Sequence, residues 1–150
     1  IFKGEIKNWK EVGGADKPIL VVSREEGSGT RGAFEEILKI EKKENDKTVS
    51  ALAKDAMVVE GNGTVKATVA GKEDAIGYVS LGYLDSTIKG VKVGGVEPTV
   101  ENIKAKKYAV SRPFLMLTKG EMKPEVKALM NFILSDEGQK IVSEHYITVK

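Results

Sequence analysis

The sequence predicts an α/β fold in which a central, mostly parallel sheet is flanked by helices. Three observations indicate this class. Short β-branched apolar runs, typical of buried strands, occur at 18–23 and 75–79. Segments with apolar residues at helical spacing lie elsewhere in the chain, most clearly at 124–134. Strands that alternate with helices favour parallel pairing, because a parallel connection needs a long crossover.

The first 60 residues contain the clearest strand. Residues 18–23 read Pro-Ile-Leu-Val-Val-Ser, which predicts a buried strand. A helix is expected from Ala33 and ends in the charged stretch 41–47. A shorter helix is expected at 49–57, and a strand at 58–59.

The middle of the chain is read from its capping residues and glycines. Thr64 is a candidate N-cap for a helix over 65–70. Residues 89–96 predict an exposed strand that ends in a double-glycine turn. Thr99 is a candidate cap for a short helix through Lys104.

The last third contains the clearest helix. Residues 108–118 are expected to be extended. Residues 124–134 have a proline at the first position and an apolar stripe that must be buried somewhere. A last helix is expected after Ser135, with Ile141 and Val142 facing inward.

Composition excludes several classes of function. The chain has 24 Lys and Arg against 22 Asp and Glu, and a net charge of +2 is too small to argue for nucleic acid. It contains no cysteine, so disulfides, thiol catalysis and thiolate metal sites are excluded. No apolar run approaches the roughly 20 residues that cross a bilayer. The chain opens at Ile1 without a methionine, which indicates a fragment or a processed product.

A polar, glycine-rich loop at 23–32 carries the most chemistry. It lies between a buried strand and a helix, and a helix start offers unpaired N–H groups and the positive end of the dipole to an anion. Gly29, with Gly27, permits close approach of the backbone. Ser28 and Thr30 add hydroxyl donors. Arg24 offers a planar fork that suits two oxygens of a tetrahedral anion.

This loop has three other interpretations. Glycine- and serine-rich turns between a strand and a helix are also common as plain structure, so composition alone leaves both interpretations open. The loop lacks the G-x-x-x-x-G-K-[ST] pattern of nucleotide-binding loops and the spacing of a G-x-S-x-G nucleophile elbow.

The two glutamates of the loop and the single histidine of the chain have simpler interpretations than a role in catalysis or metal binding. Glu25 and Glu26 would oppose a bound dianion, so they are expected to point to solvent or to pair with Arg31 or a nearby lysine. His145 is the only histidine, which makes a metal site or a general base a poor interpretation. We therefore expect no metal, no cofactor and no catalytic residues.

Taken together, several stretches resemble the phosphate-binding proteins of phosphate ABC importers, the PstS family. The matches run in the family's order from end to end, and they are specific as a set although no single one is. They lie at 1–9, 23–31, 61–65, 75–83, 111–114 and 134–142.

The resemblance implies a lobe of the type II periplasmic-binding-protein fold and a site for inorganic phosphate. The family positions that grip phosphate correspond here to Arg24, Ser28, Gly29 and Thr30. The resemblance further implies an extracellular or periplasmic protein, membrane-anchored at full length, that delivers phosphate to a membrane permease.

The resemblance also implies that half of the family's fold precedes Ile1. Residues 1–110 are expected to form the phosphate-gripping lobe, and 111–150 a return segment that packs on the other lobe in the family. Here that segment is expected to rearrange onto residues 1–110 or to associate with the missing N-terminal lobe or with a second copy of the chain. The family's further phosphate loop, serine and proton-accepting aspartate belong to the absent lobe, and selectivity over sulfate depends on that aspartate.

Three rival functions are kept. The first is a binding protein for sulfate, molybdate or another oxyanion. The chemistry of the residues does not exclude it, and only the resemblance favours phosphate. A sensor domain of a transcription regulator would need a DNA-binding motif, which is not visible here. An enzyme acting on phosphate esters would need a nucleophile with a base, or a metal cluster.

Overall fold

The computed structural model describes residues 1–149, which fall into two compact units. The first unit spans Ile1–Val91 and the second begins at Lys92. The resemblance predicts a different division, into residues 1–110 and 111–150. That division concerns the full-length protein and stays a prediction.

The first unit contains a parallel sheet, a separate hairpin and two α-helices. In chain order its strands and α-helices are β1 (Leu20–Arg24), α1 (Gly29–Ile37), β2 (Glu41–Glu44), β3 (Lys47–Ser50), β4 (Met57–Val59), α2 (Gly61–Ala70) and β5 (Ala75–Ile76). Two short 3-10 helices lie at Trp9–Val12 and Leu81–Tyr83.

The sheet has the order β4-β1-β5, and both pairings are parallel. Arg24 pairs with Val59 at one end of β1, and Leu20 pairs with Ala75 at the other. Helices α1 and α2 lie in the two crossovers, as parallel strands require. This confirms the predicted α/β class with a parallel sheet.

The core of the first unit lies around β1. Val22 and Val65 are 0% and 1% exposed. Gly77 lies against both: a Cβ there would be 2.9 Å from Val65 Cγ1 and 3.2 Å from the Val22 carbonyl oxygen. The Phe34 ring stacks on the Tyr78 ring with centroids 4.0 Å apart.

The helix expected at 49–57 is wrong. Residues 41–50 instead form an antiparallel hairpin in which Glu41 pairs with Ser50. Its turn residues Asn45 and Asp46 have φ of 49° and 61°, the left-handed values that a tight hairpin turn requires. The hairpin was not predicted because its strands are rich in charged residues and lack an apolar residue at every second position.

Both helices beside the sheet begin earlier than expected. Helix α1 begins at Gly29 rather than Ala33, with Ser28 as its N-cap. Helix α2 begins at Gly61 with Glu60 at the N-cap position, so Thr64 lies inside the helix and the predicted cap is wrong. The strand predicted at 75–79 is limited to Ala75–Ile76.

The second unit contains α3 (Val100–Lys104), α4 (Pro124–Ile133) and α5 (Asp136–Val142). The predicted cap Thr99 is confirmed, as are the proline start of α4 and the last helix after Ser135, which is the N-cap of α5. The strand expected at 89–96 reduces to a single bridge between Val93 and Val96.

The apolar stripe of α4 is largely uncovered. Leu129 is 58% exposed, and Ile141, which was expected to face inward, is 55% exposed. Leu117 reaches 90%. Among residues 1–149, none of the helices has the length and apolar character of a membrane-spanning segment.

Candidate functional site

The candidate site lies where the parallel strands of the first unit end. Strand β1 ends at Arg24 and β4 at Val59, and the helices that follow begin at Gly29 and Gly61. Parallel strands present their carboxyl ends at one edge of a sheet, and helices that follow them point their N-termini to that edge. Topology therefore gathers the loops after β1, β4 and β5.

Arg24 lies at the centre of this edge, and its side chain is buried. Its Nε and Nη2 donate to the two carboxylate oxygens of Glu25 at 2.8 and 2.7 Å. Its Nη1 donates to Asn62 Oδ1 at 2.9 Å. Among the described residues these partners use three of the five guanidinium N–H groups, so two remain for another acceptor.

Glu25 contradicts the expectation that it points to solvent or pairs with Arg31 or a lysine. It forms a bidentate pair with the adjacent Arg24 and accepts from the Gly61 N–H at 3.3 Å. The hydrogen bonds from Arg24, followed by those from backbone N–H groups, lower the pKa of Glu25 to about 2. The same pair raises the pKa of Arg24. Glu26 is exposed, as expected.

Ser28, Gly29 and Thr30 lie at the start of α1, which begins four residues before the predicted start at Ala33. The Ser28 hydroxyl oxygen accepts from the Arg31 N–H at 3.2 Å, which leaves its hydrogen free to donate. The N–H groups of Gly29 and Thr30 have no partner among the described residues, as the first turn of a helix predicts. Gly29 is exposed, so its backbone is open to approach.

Sequence reasoning missed two residues of this cluster, Asn62 and Ser80. Asn62 Oδ1 accepts from the Ser80 N–H at 3.2 Å as well as from Arg24. The Ser80 hydroxyl lies 3.4 Å from Asn62 Nδ2 and 3.5 Å from Thr30 Oγ1. Each follows a strand of the sheet, which is the signal that would have found them.

A buried polar contact supports the cluster from below. The Tyr78 hydroxyl lies 2.7 Å from Ser23 Oγ and accepts from the Arg24 N–H at 3.2 Å. Ser23 is 0% exposed, so the pairing fixes the end of β1 inside the core.

A second support comes from Arg31 on α1. Its Nε donates to Glu35 at 2.8 Å, and its Nη1 donates to the Arg24 carbonyl oxygen at 3.1 Å. Ser50 at the end of the hairpin donates to the same Glu35 oxygen at 2.9 Å. Arg31 therefore braces the loop through Glu35 and the Arg24 carbonyl oxygen.

The cluster offers donors rather than acids, bases or metal ligands. Unpaired helix N–H groups, hydroxyls and one arginine converge at one edge, which suits a small anion. Within residues 1–149, no three His, Cys, Asp or Glu side chains are grouped so as to hold a metal ion.

Residues 1–137 match the family model of the PBP superfamily domain. The chain belongs to the PBP superfamily. This match confirms the periplasmic-binding-protein fold class, and together with the relatives below it confirms the resemblance seen in the sequence.

Curated relatives carry a narrower name. The chain is 43% identical over 129 residues to phosphate-binding protein PstS 2 of Streptococcus agalactiae, covering 85% of this chain and 44% of the relative. It is 32% identical over 152 residues to phosphate-binding protein PstS of Bacillus subtilis, covering 99% and 48%. The chain thus spans about half the length of these relatives.

Solved structures agree with the fold. A substrate-binding protein assigned to a phosphate ABC transporter of Clostridium perfringens, with bound phosphate, is 49% identical with a TM-score of 0.83. This chain is covered to 100% and that chain to 60%. A phosphate transport receptor of the ABC type from Vibrio cholerae is 36% identical with a TM-score of 0.85, covering 99% and 60%.

Proposed function

We propose that this chain is the phosphate-gripping lobe of a solute-binding protein that serves an ABC phosphate importer. The observation that carries the proposal is the link from Arg24 through Asn62 and Ser80 to Thr30 at the start of α1, where the N–H groups of Gly29 and Thr30 have no partner among the described residues. The names of the relatives favour phosphate over the alternatives, sulfate or molybdate.

Each proposed ligand has a distinct role. Arg24 donates its two remaining N–H groups to phosphate oxygens. Ser28 and Thr30 donate through their hydroxyls, and the N–H groups of Gly29 and Thr30 add the helix start. Because Glu25 already neutralises Arg24, the anion is held mainly by directed hydrogen bonds rather than by net charge.

The proposed role is capture and delivery, without covalent chemistry. A membrane permease would receive the phosphate, and the full-length protein would be extracellular or periplasmic and anchored to the membrane. The PBP superfamily match and the transporter relatives support this role rather than that of an enzyme or a regulator.

Calorimetric titration with phosphate, with sulfate as the comparison anion, tests the site. We expect saturable phosphate binding, and Arg24→Ala should weaken it by about 1.5–3 kcal/mol, the contribution of hydrogen bonds to a charged group. Arg112→Ala is the matched control, since Arg112 is exposed in the second unit. Equal affinity in Arg24→Ala and the parent chain would exclude this site.

We also propose that residues 111–150 form a return segment that packs on the rest of the full-length protein. Large apolar side chains that are at least 42% exposed support this, and they are Phe114, Leu115, Met116, Leu117, Met122, Leu129, Phe132, Leu134, Ile141, Tyr146 and Val149. The relatives also extend well beyond the match. Large exposed apolar patches mark surfaces that bind another part of a protein or another chain.

Light scattering after size-exclusion chromatography tests the return segment. We expect the chain alone to associate through this surface, and Leu117→Ser with Leu129→Ser to reduce the association. Adding the unmatched part of the Streptococcus agalactiae relative should yield a one-to-one complex. A chain that stays monomeric and does not bind that part would contradict the proposal.

A further inference from the structure

Asn62 connects three segments of the first unit through one carboxamide. Its Oδ1 accepts from Arg24 Nη1 at 2.9 Å and from the Ser80 N–H at 3.2 Å. Its Nδ2 lies 3.4 Å from the Ser80 hydroxyl oxygen. Asn62 stands in the first turn of α2, on a different strand connection from both partners.

We infer that Asn62 is a positioning residue for the anion site, which rests on the proposed function. It fixes Arg24 directly, and through Ser80 it orients Thr30, whose hydroxyl lies 3.5 Å from that of Ser80. Two of the four proposed phosphate ligands thus depend on one side chain.

The geometry explains why Glu25 alone does not place the arginine. Glu25 holds Nε and Nη2 on one edge of the guanidinium plane, and it follows Arg24 directly in the chain. The Gly61 N–H ties Glu25 to the start of α2 at 3.3 Å, and an acceptor on Nη1 from the same helix adds a second, shorter attachment that stops the pair from turning about the first. Asn62 supplies that acceptor, and its neutral amide does so without a second negative charge beside the anion.

The amide also has to donate, which an aspartate does not do. Asn62→Asp keeps an acceptor for Arg24 and for the Ser80 N–H but loses the donor toward the Ser80 hydroxyl and adds a charge. The two variants Asn62→Ala and Asn62→Asp therefore separate the holding of Arg24 from the binding of an anion.

The first measurement needs no phosphate. The chain has three arginines, Arg24, Arg31 and Arg112, so isotope-labelled arginine yields a simple NMR spectrum that an Arg24→Lys variant assigns. We expect Asn62→Ala to speed rotation and solvent exchange of the Arg24 guanidinium, and Asn62→Asp to restore the slow behaviour. Asn131→Ala, an exposed asparagine on α4, is the matched control.

The second measurement is the phosphate titration of the same variants. Asn62→Ala should lower the association constant about tenfold, and Asn62→Asp should lower it at least as much despite its restored Arg24 signal. That split between the two measurements is not produced by a merely structural role. A slow Arg24 guanidinium in Asn62→Ala, or an unchanged affinity in a chain that binds phosphate, would overturn the inference.

The two measurements keep this inference separate from the proposed function. If the parent chain binds no phosphate while Asn62→Ala frees Arg24, the positioning of Arg24 by Asn62 stands and the proposed function of the isolated chain fails. If phosphate binds and Arg24 is unaffected by Asn62→Ala, the proposed function stands and the role of Asn62 falls.

Discussion

The hydroxyl groups of Ser23 and Tyr78 lie 2.7 Å apart in the core of the first unit. Arg24, which follows Ser23 in β1, donates its backbone N–H to the same Tyr78 oxygen. The pair therefore links the packing of the sheet to the position of Arg24, so a change at Tyr78 affects both the stability of the core and the proposed anion site.

Tyr78→Phe should destabilise the chain by about 1–3 kcal/mol, because it leaves the Ser23 hydroxyl and the Arg24 N–H buried without a partner. The stacking on Phe34 should survive, since the ring is kept. Urea unfolding followed through Trp9, the only tryptophan, measures the change. Tyr83→Phe at an exposed tyrosine is the control, and an equal effect of both changes would refute the prediction.

Gly77→Ala should destabilise the first unit by about 1–3 kcal/mol, the usual result of overpacking a close-packed core. The added Cβ would press on Val65 and on the Val22 carbonyl. Gly32→Ala is the control, because a Cβ there meets nothing within 4 Å and lies in helix α1. We expect that variant to gain up to about 1 kcal/mol from helix propensity. Urea unfolding of both variants measures the change in the free energy of unfolding. A Gly77→Ala variant as stable as the parent chain would contradict the prediction.

Glu35→Ala should cost about 3 kcal/mol of the free energy of unfolding, because it leaves the largely buried Arg31 guanidinium and the Ser50 hydroxyl without their shared acceptor. Glu36→Ala on the exposed side of α1 should change the stability by less than about 0.5 kcal/mol. Thermal or urea unfolding of the pair measures the difference. Similar values for both would mean that the Arg31 brace adds nothing.

Stability should fall as the pH drops from 4.5 toward 2, since the pKa of Glu25 lies at about 2 in the folded chain against a usual 4.5. In that window the unfolded state binds more protons, so stability rises with pH and is lost as Glu25 protonates. Asp85, whose pKa is also lowered to about 2 by Lys66 and Thr87, contributes in the same direction.

Glu25→Gln should therefore flatten, but not abolish, this dependence when urea unfolding is measured across the acid range. Glu26→Gln, the exposed neighbour, should leave the slope as it is. An unchanged slope in Glu25→Gln would contradict the bidentate pair with Arg24.

Local patterns carried the prediction of individual elements. The β-branched run that became β1, the proline start of α4, the cap Thr99 and the helix after Ser135 each depend on neighbours within a few residues. The hairpin at 41–50 was missed because its charged strands lack an apolar period, although Asn45-Asp46 is a turn signal that would have indicated it.

The sequence by itself determined the α/β class and the loop from Arg24 to Thr30, because these depend on residues close together in the chain. It also determined the family resemblance, which depends on the order of several short stretches along the chain. Only the tertiary structure decided that Glu25 and Asn62 hold Arg24 and that Ser80 meets Thr30. Asn62 is 38 residues from Arg24 and 18 from Ser80, and no local pattern relates them. They meet because parallel strands end at one edge of the sheet, where each crossover returns the chain to the same place.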